Sequence, residues 1–550
     1  MRWGIHIALV LVFFAQGCKK TGDNTSTISD PYFTIISAKI NGQTPANTNI
    51  VNSVPVIKFS FSSRVDRSTV TGNIILSTAG TVVPGSISYE NNDTTVVIQP
   101  ATNLPGLIKY TASANTGLKS SGGKLLQSGY SVDFITDVDP ADKFPAITDT
   151  ALVQLAQQQT FKYFWDFAHP ISGLARERNT SGETVTSGGS GFGIMAIVTG
   201  INRGFITRAQ GLTRMQTIVT FLKNTAQKFK GAFPHWLNGT TGVVIPFSAN
   251  DNGADLVETS YLVMGLLTAR QFFNSADLSE TALRNDISTI WNGVDWDSFR
   301  QGKKVLYWHW SPDRGFVINM PIQGWNETLI TYILAASSPT HAITKPTYDS
   351  GFAKNGAIKN GNSYYGYQLP LGEPNGGPLF FEQYSFMGIN PNSLTDQYAN
   401  YQTQTVNHTK INYEYCKANP KNWYGYSDQC WGLTASDIPG GYTASSPNND
   451  VGVIAPTAAL SSFPYTSTES MKALKFFYYK LGDKLWGQYG FYDAFRLQDA
   501  WFSNSYLAID QGPIIVMIEN YRTGLLWNLF MSCPEVKAGM QSLGFQSPYL

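Results

Sequence analysis

The stretch 251–273, DNGADLVETSYLVMGLLTARQFF, decides the fold. Apolar Leu262, Leu266, Ala269 and Phe273 recur at helical spacing, and Asp255 followed three residues later by Glu258 is a helix-start signature. The pattern predicts a buried amphipathic helix over 255–273. Two readings of Glu258 stand at this point. In one it closes a capping box worth on the order of 1 kcal/mol. In the other, a loop rich in Gly, Asn and Asp delivers an acid to the rim of a helical barrel, where loop-to-helix junctions line a cleft.

Working outward, the same period predicts helices over 150–168, 192–202, 207–229, 280–291, 326–336, 394–418, 451–460, 467–481 and 511–530. Ten or more helices with long Gly-, Pro- and aromatic-rich loops suggest a double ring of helical hairpins, an (α/α)6 toroid over 150–550 in a mainly α chain; an irregular bundle is the alternative. Before it, 31–136 changes character. Short β-branched runs at 56–61, 73–77, 86–89, 94–98, 108–112 and 132–136, parted by Gly, Pro and Asn, read as a small all-β sandwich. An acidic linker with two prolines, 137–149, joins the two. The sandwich contains no Trp, His or Cys, so it reads as structural.

Composition narrows the function. Charged residues are 14% and aromatics 13%, with 50 Gly and a net charge of +1. An average domain carries roughly 25% charged residues. No Lys/Arg run exceeds a pair, so nucleic acid is excluded as a partner. The four cysteines and six histidines show no C-x-x-C or H-x-x-x-H spacing, so no metal and no cofactor are expected. Cys416 and Cys430 either close a surface loop or remain thiols, with Cys533 unpaired.

At the N-terminus, Arg2, the apolar run 5–14 and Ala15-Gln16-Gly17-Cys18 resemble a bacterial lipoprotein signal spanning 1–18, with Ala15 where Leu is commoner. The resemblance implies lipidation at Cys18 and a cell-envelope lipoprotein held to a membrane; the polar, Thr/Ser/Asn-rich run 19–30 reads as a flexible tether, and a monomer is expected. Likewise VPVIKFSFSSRVDRSTV with NIIL and TTVVIQPATNL resembles bacterial Ig-like domains, implying a spacer.

Of thirteen tryptophans, twelve fall between Trp165 and Trp527, many beside polar residues. Phe233-Pro234-His235-Trp236, Tyr307-Trp308-His309-Trp310, Trp325 and Asn422-Trp423-Tyr424 are examples. Aromatic faces stack on pyranose C–H faces while indole N–H, amides and carboxylates meet the hydroxyls, so a glycan cleft fits, although large aromatics also fill cores.

Several runs identify a family. SGLARERNTSGETVTSGGSGFGIMAIVTGINRGFITRAQG, FPHWLNG, DLVETSYLVMGLLTARQFF, YWHWSPD, GWNETLITYILAASSPTH, NNDVGVIAPTAALSSFPYT and WGQYGFYDAFR resemble glycoside hydrolase family 144 across 148–545. The resemblance implies hydrolysis of β-1,2-glucan with inversion, by endo-cleavage or by exo-release of sophorose. Inversion needs a general acid and a general base. Carried over motif by motif, Glu258 is the candidate acid and Asp450 the candidate base. A helix N-terminus favours an ionised carboxylate, so burial must outweigh the dipole at Glu258; Asp450 alternatively caps a helix. Candidate substrate-binding residues are Arg176, Glu177, Phe192, Trp236, Trp308, His309, Trp310, Trp325, Asn326, Glu327, Glu382, Tyr426, Asp428 and Asp493, the last also a possible base. The run 188–193, GGSGFG, lacks a phosphate loop's Lys and strand, and reads as allowing close helix packing. Two other classes remain: a non-catalytic glycan-capture lipoprotein, and a polysaccharide lyase with a Tyr or His base.

Overall fold

The computed structural model describes residues 32–46 and 49–550. Cys18 and the tether lie outside the described residues. Two compact units result: one holds most of the described residues up to Asp133, and the other runs from Phe134 to Leu550 with the short segments 49–53 and Leu104–Lys109.

The first unit is built from β-strands. Ile35–Ile40, Ile57–Phe61, Thr95–Pro100 and Gly85–Glu90 form a four-stranded antiparallel sheet in that order, with Phe59 opposite Val96. In Ile57–Phe61 every second side chain is buried, as the two-residue period of a half-solvated strand requires. Ile74–Thr78 pairs with Lys109–Ala114, burying Leu76 and Ala112. The strand at 35–40 is absent from the sequence expectation, although Ile36, Ser37, Ala38, Lys39 and Ile40 alternate apolar with polar and Ala38 and Ile40 are buried.

The second unit is helical. In chain order α1 is Asp149–Trp165, α2 Ser187–Asn202, α3 Arg208–Asn224, α4 Leu256–Phe272, α5 Leu278–Asn292 and α6 Leu329–Ser337. Later helices are Tyr401–Ala418, Pro456–Leu460, Ser467–Lys475, Ala508–Thr523, Leu525–Met531 and Pro534–Leu543, the last unforeseen in the sequence. Helices α2, α4 and α6, the turn Ser385–Met387, and helices 456–460 and 508–523 form an inner ring. The first four pack on one another in that order, 456–460 packs on 508–523, and 508–523 closes back onto α2. Gln383 Nε2 donates to Ala458 O at 3.0 Å, joining the fourth inner element to the fifth. Helices α1, α3 and α5, the segment 345–352, and helices 401–418 and 467–475 lie outside.

Inner and outer helices differ in the way burial demands. From Leu256 to Ala269 every residue of α4 is buried, so this helix is enclosed on all sides rather than packed by one face. Its contact with α2 is backbone against backbone. A Cβ on Gly191 would fall 2.1 Å from Tyr261 O, and Gly265 meets Gly191 O in the same way. The glycine run 187–193 therefore starts α2 five residues earlier than its apolar period suggests. Cys416, Cys430 and Cys533 are buried free thiols, so no disulfide closes the 416–430 loop. No described helix is long and apolar enough to cross a membrane.

Candidate active site

Because outer and inner helices alternate along the chain, the inner helices run the same way and their N-termini gather at one end of the ring. Asp255 caps α4 by accepting from Val257 N (3.0 Å) and Glu258 N (2.9 Å). Glu258 does not complete a capping box. The N–H of Asp255 donates to Phe233 O (2.8 Å), and Glu258 Oε2 instead accepts from Gly188 N (2.8 Å) at the start of α2. Gly188 is required there, since a Cβ would lie 2.4 Å from that oxygen.

Around this carboxyl the chain assembles a charged group. His235 Nδ1 lies 3.2 Å from Asp255 Oδ2, and His309 Nε2 lies 3.6 Å from Asp251 and 3.7 Å from Asp255. Burial alone would lower the His235 pKa, but Glu258, Asp255 and Asp251 override it and raise it to about 9. Burial raises Glu258 and Asp255 raises it further, against the pull of His235; the net shift is upward. Asp251 is raised by burial and by Asp255. Asp255 ends below its ordinary value: burial acts to raise it, but the hydrogen bond from His235 and the charge of His309 prevail. Ligand atoms of His235, Asp251 and Asp255 lie within 4.8 Å of one another, so among the described residues these three could hold a cation. Here His235 itself serves as the positive charge.

Glu327, just before α6, is half-buried. Burial and then the nearby Glu258 and Asp255 raise it to about 7, with its own backbone N–H opposing. Asn326 Oδ1 caps the same turn by accepting from Thr328 N at 3.0 Å. At the start of helix 508–523, Asp510 faces Asp493. The two are buried carboxyls whose proton affinities are both raised, and Asp493 Oδ1 and Asp510 Oδ2 find no donor among the described residues. Burial brings Asp493 to about 7, and burial together with Asp493 pushes Asp510 well up. Asp437 N donates to Asp493 Oδ2 at 2.7 Å. The buried Tyr384 hydroxyl is raised by burial, by Asp510 and also by Glu327, so the two acid groups surround one aromatic ring.

Other sequence candidates divide. Trp236 packs on Phe247 (4.7 Å), whose ring stacks on His235 at 4.6 Å. Trp308 stacks on His309 at 5.8 Å. Trp310 packs on Phe229 under Lys230. These aromatics stand beside the acids. Glu177 is bound by Arg178 Nε at 3.0 Å, and Arg178 Nη1 reaches Asp437 at 3.3 Å. Arg176 instead lies over Phe167 and donates to Phe167 O.

The expectations for Glu382, Trp325 and Phe192 are corrected, and Asp450, Tyr426 and Asp428 make other contacts. Asp450 accepts from Tyr415 OH (3.0 Å), Tyr426 OH (2.8 Å) and Gly452 N (2.8 Å). These bonds fix both carboxylate oxygens in the loop, and the helix at 456 starts too late for Asp450 to cap it. Tyr426 accordingly serves Asp450. Glu382 is fully buried, accepting from Trp325 Nε1, Gln404 Nε2 and His408, so Glu382 and Trp325 brace the core. Phe192 is fully buried against Tyr261 and Tyr384 and offers no face to a sugar. Asp428 pairs with Lys472 in a partly exposed ion pair away from the acids. Sequence reading missed Asp251, Asp255 and His235 as a charged group, and missed Asp510. The signal for Asp510 was a carboxylate just ahead of an apolar helical run, the same signal that singled out Glu258.

Comparison with known proteins gives the family. Residues 319–534 match the "Putative glucoamylase" family model and residues 36–136 the bacterial Ig-like domain model. An endo-β-1,2-glucanase structure from Chitinophaga pinensis, in complex with sophorotriose and glucose, is 52% identical, covering 74% of this chain and all of that one, with a TM-score of 0.72. A β-1,2-glucanase structure from Parabacteroides distasonis is 39% identical over 93% of this chain and 72% of that one, with a TM-score of 0.71. An exo β-1,2-glucooligosaccharide sophorohydrolase of the same organism is 45% identical over 475 residues, 82% of this chain; the chain spans 66% of that relative's length. The chain belongs to glycoside hydrolase family 144, with a bacterial Ig-like domain ahead of its catalytic unit.

Proposed function

We propose that this protein hydrolyses β-1,2-glucan with inversion, using the carboxyl groups gathered at the N-terminal end of its inner helices. The observation that carries the reading is Glu327: a half-buried carboxyl raised to about 7, whose carboxylate no described side chain holds. It retains a proton near neutrality and can give it to a glycosidic oxygen, as a general acid must. Glu258 is held by Gly188 N and lies beside the His235 cation, which suits binding a sugar hydroxyl and steadying Glu327 more than donating a proton itself. The base role falls to the Asp493–Asp510 pair. One proton shared between two carboxyls leaves one negative charge, enough to draw a proton from water directly or through a sugar hydroxyl. Asp450, with both oxygens engaged by tyrosines, is the weaker candidate.

Endo-cleavage is our first reading, because the Chitinophaga pinensis glucanase covers the whole catalytic unit; sophorose release is the second, from the Parabacteroides distasonis relative. The purified chain incubated with linear β-1,2-glucan and sampled over time distinguishes them. An early ladder of mixed oligosaccharides establishes endo-action, and sophorose alone establishes exo-action. No product from any β-glucan would sink the hydrolase reading in favour of glycan capture. We further propose anchoring to a membrane through an acylated Cys18, supported by the 1–18 sequence; labelled palmitate that still enters a Cys18→Ser variant would refute it.

A further inference from the structure

A second opening lies on the Asp493 side of the acids. It is a cavity of about 490 Å³ between three segments: Arg178, the hairpin of Ala435–Ile438 and Gly441–Ala444, and the strand Trp501–Phe502 with Asn504. Asp437 links it to the carboxyl pair. Asp437 on its wall donates its N–H to Asp493, and Ser505 Oγ donates to Asp437 Oδ2 at 2.5 Å.

Its walls combine a flat apolar face with unspent hydrogen-bonding groups. Trp501 is half-buried, and beside it Phe502 is fixed by stacking on Phe495 at 5.9 Å and 16°. The Trp501 indole N–H makes no hydrogen bond with a described residue. Arg178 spends Nε on Glu177 and Nη1 on Asp437, while its Nη2 makes none. Asn504 uses its backbone carbonyl to accept from Asn179 Nδ2 at 3.0 Å, and its side-chain amide is unspent. At the hairpin tip a Cβ on Gly440 or Gly441 would meet no atom within 4 Å, so that edge is open.

The chemistry selects a neutral ligand. One guanidinium stands against two carboxylates, Glu177 and Asp437, so an anion finds no net positive charge. A half-open indole with directed N–H and C=O groups around it is suited to a pyranose ring, whose C–H faces stack and whose hydroxyls need both donors and acceptors. We propose that this cavity is a glucosyl subsite beyond the scissile bond, holding roughly one or two sugar units of a longer chain, a size in keeping with ligand pockets of this volume. The inference rests on the glucan-hydrolase reading for the identity of the chain, and on the cavity itself for its site.

The test compares wild type with Trp501→Ala and Trp501→Phe in the full chain, on long linear β-1,2-glucan and on the shortest oligosaccharide the wild type cleaves. Trp501→Ala is expected to raise KM for the long glucan about tenfold, the loss of one aromatic stacking contact. The effect on the shortest substrate should be several-fold smaller, and Trp501→Phe should recover most of the loss. Equal effects on both substrates, or none on either, overturn the subsite. Calorimetric titration of long β-1,2-glucan into Glu327→Gln, with and without Trp501→Ala, separates this from the parent reading. If wild type cleaves nothing, the hydrolase reading fails, yet binding that Trp501→Ala weakens still upholds the subsite. Binding unaffected by Trp501→Ala, or no binding at all, refutes it.

Discussion

Replacing Glu327 by Gln tests the electrostatics of the site without touching its shape. Burial raises this carboxyl from an ordinary 4.5 to about 7, so the folded protein keeps a proton that the unfolded chain has already released. The sign follows: the unfolded state binds fewer protons between those values, so stability falls as pH rises from 4.5 to 7 and levels off above. At 1.36 kcal/mol per pH unit the whole effect is about 3 kcal/mol; for a half-buried group, screening by cleft water lowers the expectation to about 2 kcal/mol. The neutral amide cannot ionise, so this part of the pH dependence disappears in the variant, while Asp493, Asp510 and Glu258 titrate in both proteins and largely cancel. Urea unfolding followed by tryptophan fluorescence is the assay, because every tryptophan of the described chain lies between Trp165 and Trp527 and reports the helical unit alone. Wild type should lose about 2 kcal/mol more than Glu327→Gln between pH 4.5 and 8, and the variant should show no measurable turnover of β-1,2-glucan. Parallel stability profiles would refute the burial argument, and a variant with near-normal turnover would refute the acid assignment.

Three further outcomes are expected. Asp450→Ala removes the acceptor of two tyrosine hydroxyls and one backbone N–H, so stability should fall by about 3 kcal/mol; kcat of the folded fraction should stay within about threefold, and a loss of several orders would return Asp450 to the base role. Gly191→Ala places a methyl 2.1 Å from Tyr261 O, and a thermal melt should show destabilisation of about 3 kcal/mol or more. His235 gains its proton affinity from Glu258, Asp255 and Asp251, so its stabilisation is fully present below about pH 6.5 and is lost as pH rises through about 9. The stability gap between wild type and His235→Gln should therefore shrink over that range; a gap that widens would reverse the assignment.

How legible the molecule was depended on the range of the interaction. Apolar period and helix-start residues are local, and they placed α1 and α4 to within three residues of their boundaries and the end of the 401–418 helix at Ala418, although its start was expected seven residues too early. Helix 467–481 was located, but its last turn loosens into a π-helical segment, Phe476–Lys480, for which the sequence holds no clear mark. The alternation of Ile57–Phe61 exposed the β-unit in the same local way. Two wrong expectations share one cause. Glu382 and Phe192 stand in runs that look like cleft lining, and only the packing around them shows that neither reaches solvent.

From the sequence alone came a mainly α chain with a β-sandwich ahead of it, the family resemblance, and an acid at the entrance of a buried helix. These follow from periodicity and motif, which involve residues close along the chain. What only the tertiary structure decided is which acids stand together. Glu258 meets Gly188, seventy residues away, and Asp493 meets Asp510 and Asp437 from three separate segments. A carboxyl's proton affinity is set by the charges and burial that folding brings around it. One carboxylate beside a helix start therefore became part of the acid group, while Asp450 became a tie between tyrosines.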